Sequence, residues 1–110
     1  MVDVKNPKVL IVILNYKTYE LTINLAEQLK ELNYNNYDIL VVDNCSPNNS
    51  KQELEAKADI LNYTFVSSKN NGGYAAGNNI GIRYAIEHGY EYSWILNNDV
   101  KIVDKDILKK

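Results

Sequence analysis

Four short polar clusters carry the side chains of this chain that could do chemistry. They are Asn15-Tyr16-Lys17, Asp43-Asn44-Cys45-Ser46, Lys69-Asn70-Asn71-Gly72-Gly73 and Asn97-Asn98-Asp99. An ionised carboxylate only accepts hydrogen bonds, so Asp43 could take one from a ribose hydroxyl or a nucleobase N–H. The string Asp-Asn-x-Ser-Pro is also ordinary turn chemistry, and the residues alone leave both readings open. Gly72-Gly73 permits positive φ and close approach of a ligand, and the start of a helix behind it would be an anion site. Neither a GxGxxG nor a Walker lysine pattern accompanies it. Asn97-Asn98-Asp99 offers one carboxylate with flanking amides. Such a set holds a metal weakly by itself and adequately where a diphosphate brings further oxygens, as Mg2+ and Mn2+ usually bind. A plain Asx turn is the alternative.

Other residues carry less. Gly73, Gly77 and Gly81 recur every four positions on one helix face, with Asn78 beside them. Each glycine in a helix costs up to about 1 kcal/mol relative to Ala, so close packing on a strand or a ligand should explain them. His88, near a helix C-terminus, is expected to meet the last carbonyls or the dipole. Cys45 has no paired base and reads as a small turn residue. Trp94 reads as core, and Tyr16 could stack on a base.

The elements that would position these clusters alternate. Lys8–Leu14 is apolar on both faces, the pattern of a buried parallel strand. Thr18 is a candidate N-cap for a helix to Asn33 with Leu21, Leu25, Leu29 and Leu32 at helical spacing. Asp38–Val42 is a second strand. Ser50 and Glu53 form a capping box for a helix to about Ala58. Tyr63–Ser67 is a third strand. A helix over 74–88 closes at Gly89 in the C′ position, and Tyr92–Leu96 is a fourth strand. Asp104 is expected to cap a last helix. The order β-α-β-α-β-α-β predicts an α/β fold: a Rossmann-like, mostly parallel sheet of about four strands with helices on both faces. Ligands of such sheets bind beyond the carboxyl ends of the strands, where all four polar clusters fall.

At 110 residues the chain is one domain's worth, with 45% apolar residues for a core. The formal net charge is -2 and the lysines are scattered, which argues against a nucleic-acid surface. The single cysteine excludes an internal disulfide, and no Cys/His cluster suggests zinc. The longest purely apolar run, Val9–Leu14, is far short of a bilayer span, and MVDVKNPK lacks the apolar core of a signal peptide. A cytoplasmic location is expected, and the N-x-S/T sequons starting at Asn44, Asn48 and Asn62 are read as chance occurrences in an Asn-rich chain. A receiver-like signalling domain with Asp43 as phosphoryl acceptor would want acidic residues after strand one, and Asn15-Tyr16 offers none.

Taken together, IVILNY (11–16), VVDNCSPNNS (41–50), NNGGYAAGNNIGIRYA (70–85) and ILNNDV (95–100) resemble the inverting family 2 glycosyltransferases of the GT-A fold. The bacterial rhamnosyltransferase-like branch, active in polysaccharide assembly, is the most similar. The resemblance runs from Lys8 to about Val103 and covers the nucleotide-sugar-binding half. It implies that Asn15 and Tyr16 line the nucleobase pocket and that Asp43 accepts the imino proton of uracil or thymine. Asn44 and Ser46 would shape that loop. Asn71, Gly72 and Gly73 would pass the ribose and pyrophosphate, and Asn78 would face the nucleotide. Asn97-Asn98-Asp99 stands at the DxD position, with Asp99 on Mg2+ or Mn2+ and Asn97 near the ribose. An asparagine replaces the first DxD aspartate.

Further expectations follow from the resemblance. The donor is a UDP- or dTDP-sugar, and the acceptor of the complete enzyme is a glycan or a lipid-linked molecule, reached at the inner face of the membrane. Residues 1–110 are expected to form a single donor-binding domain cut before the acceptor half, which would carry the catalytic base. No residue here is assigned as that base, and the isolated chain is expected to be inactive. A sheet cut in this way should expose an edge and self-associate. The alternative is a non-catalytic module that binds a nucleotide or docks a partner.

Overall fold

A computed structural model describes residues 8–32, 36–68 and 73–99. Strand β1 spans Val9–Asn15, helix α1 Tyr19–Leu29, β2 Tyr37–Asp43, α2 Ser50–Leu61, β3 Thr64–Ser67, α3 Gly73–Glu87 and β4 Tyr92–Asn97. This is the predicted order. The sheet runs β3-β2-β1-β4 and every pairing is parallel.

The continuous apolar strands are explained by cover on both faces. Every residue of β1 is buried. Alternate residues Val9, Ile11 and Ile13 join Ile39 and Val41 against Leu25, Ala26 and Leu29 of α1 and Leu54 of α2. The intervening Leu10, Val12 and Leu14 join Leu40 and Val42 against Ala85 of α3, with Ile80 and Tyr84 packed alongside. The period-two alternation of strand side chains thus serves two cores at once. Trp94 packs on the first of them.

The register aligns the carboxyl ends. Asn15 pairs with Asp43, Asp43 with Ser67, and Leu14 with Asn97. The glycines of α3 are accounted for by helix-on-sheet packing. A Cβ on Gly77 would stand 3.1 Å from Leu14 Cδ2, and one on Gly81 2.9 Å from Val12 Cγ1. α3 therefore runs opposite to β1, with its N-terminus at the carboxyl edge of the sheet.

Several sequence expectations are corrected. The capping box is absent: Asn49 is the N-cap of α2, with no side-chain cap bond, and Ser50 is the first helical residue. Its N–H is taken instead by Asn48 Oδ1 at 3.1 Å, so a turn ahead of the helix does the work assigned to the box. Thr18 does precede α1, but its hydroxyl makes no cap bond. The inward face of α1 is Thr22, Leu25, Ala26 and Leu29, while Leu21 is 41% exposed. α1 ends at Leu29, where Tyr37 Oη donates to the Leu29 carbonyl at 2.6 Å and satisfies a C-terminal orphan. α2 runs on past Ala58 to Leu61 and ends on Asn62 in the left-handed conformation. Tyr63 precedes β3 rather than opening it. It is buried and its phenol donates to the Leu54 carbonyl, and burial pushes that phenol up to about 12. Gly89 has φ +75 after α3, as the C′ position requires. His88 Nδ1 lies 2.9 Å from the Tyr84 carbonyl, and the His88 ring stacks on Tyr84. The expected helix at Asp104 lies outside the described residues.

The two helical glycines should respond differently to alanine. At Gly81 the added methyl meets a branched, fully buried Val12 that has no room to turn. Overpacking of about 1–3 kcal/mol should exceed the roughly 1 kcal/mol gained in helix propensity. At Gly77 the neighbour is the far end of Leu14, which can shift. Urea denaturation should show Gly81→Ala clearly destabilised and Gly77→Ala near the parent. Equal midpoints for the two variants would contradict this packing.

Candidate functional site

Strand order reverses between β1 and β4, since β2 and β3 add on one side of β1 and β4 on the other. A crevice at the carboxyl edge of such a switch point is where open α/β sheets bind ligands. The residues that end β1, β2 and β4 meet there.

Asn15 and Asp43 continue the face that packs on α1, and both are only 1% exposed. Asn15 Nδ2 donates to Asp43 Oδ1 at 2.9 Å. Asn15 Oδ1 accepts from Thr22 Oγ1 at 2.7 Å. Asp43 Oδ1 also accepts from Ser46 Oγ at 2.6 Å, and Asp43 Oδ2 accepts from the Ser46 N–H at 3.1 Å. The carboxylate is therefore held by three donors, and Oδ2, with a single bond of these, keeps acceptor capacity. Charge-assisted bonds of this kind are worth about 1.5–3 kcal/mol each. The backbone joins in: Asn44 N–H donates to the Asn15 carbonyl at 2.9 Å and Ser68 N–H to the Asp43 carbonyl at 2.8 Å.

The loops after β1 and β2 are stitched together. Lys17 N–H donates to Ser46 Oγ at 2.8 Å, and Asn48 Nδ2 to the Lys17 carbonyl at 2.7 Å. Lys17 and Cys45 both have left-handed φ, +67 and +56, which costs a non-glycine residue roughly 1–2 kcal/mol. The cross-loop bonds hold both residues there. Tyr16 is exposed, with Lys17 Nζ 5.2 Å from its ring centroid. A cleft of about 420 Å³ opens beside Asp43, lined also by Cys45, Ser46, Lys51, Ser67 and Ser68.

After β4, Asn97 and Asp99 are exposed at the same sheet edge. Asn98 turns inward. Its Nδ2 lies 2.8 Å from Thr18 Oγ1, 3.1 Å from the Thr18 carbonyl, 3.1 Å from Thr22 Oγ1 and 3.2 Å from Asn15 Oδ1. Among the described residues no three His, Cys, Asp or Glu stand together as a metal cage. The donor set is one carboxylate, Asp99, which suits a hard cation that takes its remaining ligands from diphosphate oxygens and water.

Of the residues singled out in the sequence, Asn15, Asp43, Asn44 and Ser46 are brought into one network, with Tyr16 beside it. Asn97 and Asp99 share the same edge. Asn78 lies on α3, on the opposite sheet face. Its Oδ1 is buried and without a hydrogen-bond partner. Gly73 opens α3, while Asn71 and Gly72 lie outside the described residues. Sequence reasoning missed Thr22, Thr18 and Asn98 as partners, and Lys51, Ser67 and Ser68 as cleft lining. Thr22 left one signal: it stands at the spacing of Leu25, Ala26 and Leu29, a hydroxyl on the buried stripe of α1.

Residues 9–109 match the description of glycosyl transferase family 2. The chain belongs to that family. It is 35% identical over 98 residues to the low-salt glycan biosynthesis hexosyltransferase Agl10 of Haloferax volcanii, over 88% of this chain and 29% of that protein. The chain thus spans less than a third of the length of this relative. Among solved structures, the mannosyltransferase PcManGT from Pyrobaculum calidifontis, in complex with GDP-Man and Mn2+, has a TM-score of 0.83. Identity there is 22%, over 94% of this chain and 31% of that one. S. aureus TarS in complex with UDP has a TM-score of 0.76 at 23% identity, over 93% of this chain and 30% of that one. These structural likenesses establish a GT-A-like α/β fold. No described helix is long and apolar enough to cross a membrane.

The Asn15–Asp43 contact yields a pH-dependent prediction. Asn15→Asp places two carboxylates within hydrogen-bonding distance in a buried floor, which raises the folded-state pKa of the pair. A raised folded pKa gives stability that is present below the unfolded value near 4 and lost as pH rises through the folded value. Urea midpoints should show Asn15→Asp close to the parent at pH 4 and several-fold more easily unfolded at pH 8. A penalty independent of pH would contradict the contact.

Proposed function

We propose that this chain binds the nucleoside diphosphate of a UDP- or dTDP-linked sugar together with Mg2+ or Mn2+. In the complete enzyme the sugar, a hexosyl or rhamnosyl group, passes to a hydroxyl of a glycan or lipid-linked acceptor on the cytoplasmic side of a membrane. The observation that carries the reading is the convergence of strand ends at the switch point: Asp43, oriented by Asn15 and Ser46, with spare acceptor capacity beside a cleft.

Uracil and thymine present one imino N–H between two carbonyls, and Asp43 Oδ2 is suited to accept it. Lys51 lines the same cleft and can serve a flanking carbonyl, while Tyr16 offers an exposed ring for stacking. Asn44 and Ser46 hold the loop. Asn97 serves the ribose, and Asn71, Gly72, Gly73 and Asn78 serve the ribose and pyrophosphate. Asp99 would hold the cation, which neutralises charge on the departing diphosphate. No residue of this chain is assigned as the base that takes the acceptor proton. Residues 1–110 act as one donor-binding unit. Family membership, the hexosyltransferase relative and neighbours described in complex with GDP-Man or UDP support the reading.

Calorimetric titration with UDP, dTDP and GDP, each with and without Mn2+, tests it. UDP or dTDP should bind better than GDP, and Mn2+ should tighten binding about tenfold or more. Asp99→Ala should remove the Mn2+ gain alone. Asp43→Ala should weaken binding about 10- to 100-fold with or without metal, the worth of one charge-assisted hydrogen bond. Absence of binding by UDP and dTDP would sink the reading.

Self-association is proposed at β4, one of the two outer strands of the described sheet, where Tyr92 is 63% exposed. Light scattering should show mass rising with concentration, and Tyr92→Lys should reduce it. A clean monomer over a wide range would rule this out.

A further inference from the structure

Asn98 is the residue between the two site candidates Asn97 and Asp99, yet its side chain points into the protein. We infer that Asn98 is a positioning residue, whose amide N–H group ties the segment carrying Asp99 to the buried floor of the nucleotide site. The inference rests on the donor-binding reading above and names a determinant of its cation half.

The polarity of the surrounding groups dictates a donor at this position. The Thr18 carbonyl only accepts. Thr22 Oγ1 gives its proton to Asn15 Oδ1 at 2.7 Å, so toward Asn98 it accepts. Thr18 Oγ1 is directed to the Tyr16 carbonyl at 3.4 Å and likewise accepts from Asn98. Asn15 presents Oδ1 to Asn98, because its Nδ2 is committed to Asp43. Four acceptors thus converge on one NH2 with two protons, and no donor faces it in this set. The bonds run in one direction, from Asn98 to Thr22 and Asn15 and from Asn15 to Asp43. They bridge β4, the start of α1, β1 and β2 across the switch point. Asp99 follows the anchored residue directly, so the anchor limits where its carboxylate can go.

An isosteric carboxylate separates this role from simple charge. Asn98→Asp adds a negative charge next to Asp99. If charge governed this position, the cation would bind more tightly. If the N–H anchor governs it, the new carboxylate faces four oxygens, the segment leaves the floor, and the cation is lost despite the added charge.

The parent, Asn98→Asp, Asn98→Ala and Thr18→Val would be titrated with UDP, with and without Mn2+, and with uridine in the absence of metal. Thr18→Val removes the shortest acceptor without touching Asn98, and Thr18 makes no side-chain cap bond to α1. The expected result is a loss of about tenfold or more in the Mn2+-dependent gain for both Asn98 variants. Thr18→Val should lose about two- to threefold. Uridine affinity should stay within about threefold, because Thr22, Asn15 and Asp43 remain bonded to one another; it also reports that each variant is folded. If Asn98→Asp does not fold, Thr18→Val carries the test. Asn98→Asp or Thr18→Val binding Mn2+ and UDP as tightly as the parent, or more tightly, overturns the positioning role while Asp99→Ala still upholds the donor site. A parent without Mn2+-dependent UDP binding removes the donor-binding reading, and the positioning role with it.

Discussion

The hydrogen bond from Asn15 to Asp43 is the contact on which the site depends. It joins the last residues of two neighbouring parallel strands, placed opposite each other by register and both almost completely buried. A buried carboxylate is tolerated only when donors surround it. Asn15, Ser46 and the Ser46 backbone provide them, and each fixes a further element. Asn15 is locked by Thr22 from α1, and Ser46 by Lys17 from the neighbouring loop. Satisfying one charge therefore ties the carboxyl ends of β1 and β2, and the loops that follow them, to α1.

The two faces of the sheet are unequal in what they allow. On the α1 face the apolar stripe gives way at its upper end to Thr22, Asn15 and Asp43, so that core grades into site without an apolar gap. On the α3 face the strands carry leucine and valine to the edge, and glycines let the helix approach closely. Close apolar packing on one side and a polar network that leaves Asp43 Oδ2 spare acceptor capacity on the other bound the crevice. Such preorganised donors and acceptors bind a polar ligand without first reorganising.

The left-handed conformations at Lys17 and Cys45 belong to the same economy. Neither is glycine, asparagine or aspartate, the residues that adopt this conformation most readily. Both persist because the two loops are bonded to each other through Ser46 and Asn48. Strain that is over-determined by its surroundings tends to lie where a binding surface has to be held in an unusual shape.

The sequence by itself determined the layers. Apolar runs such as KVLIVIL and DILVV have the length and β-branched content of buried strands, and alternation with helical stretches favours a parallel sheet covered on both sides. Polar residues after every strand marked the edge where a ligand would sit, and four motifs in order were enough to suggest the family. Boundaries and caps were less legible: Ser50 and Glu53 have the spacing of a capping box, but Asn48, anchored by another loop, took the Ser50 N–H. Partnerships at the site were not legible at all. Asn98 and Asn97 are the same residue type, one turned inward and one exposed, and only register and the approach of α1 distinguish them. The sheet order, which puts β4 beside β1 and so brings Asn98 to Asn15, is a long-range choice. Local sequence encodes hydrogen-bonding capacity and periodicity; which donor meets which acceptor is decided when distant strand ends are brought side by side.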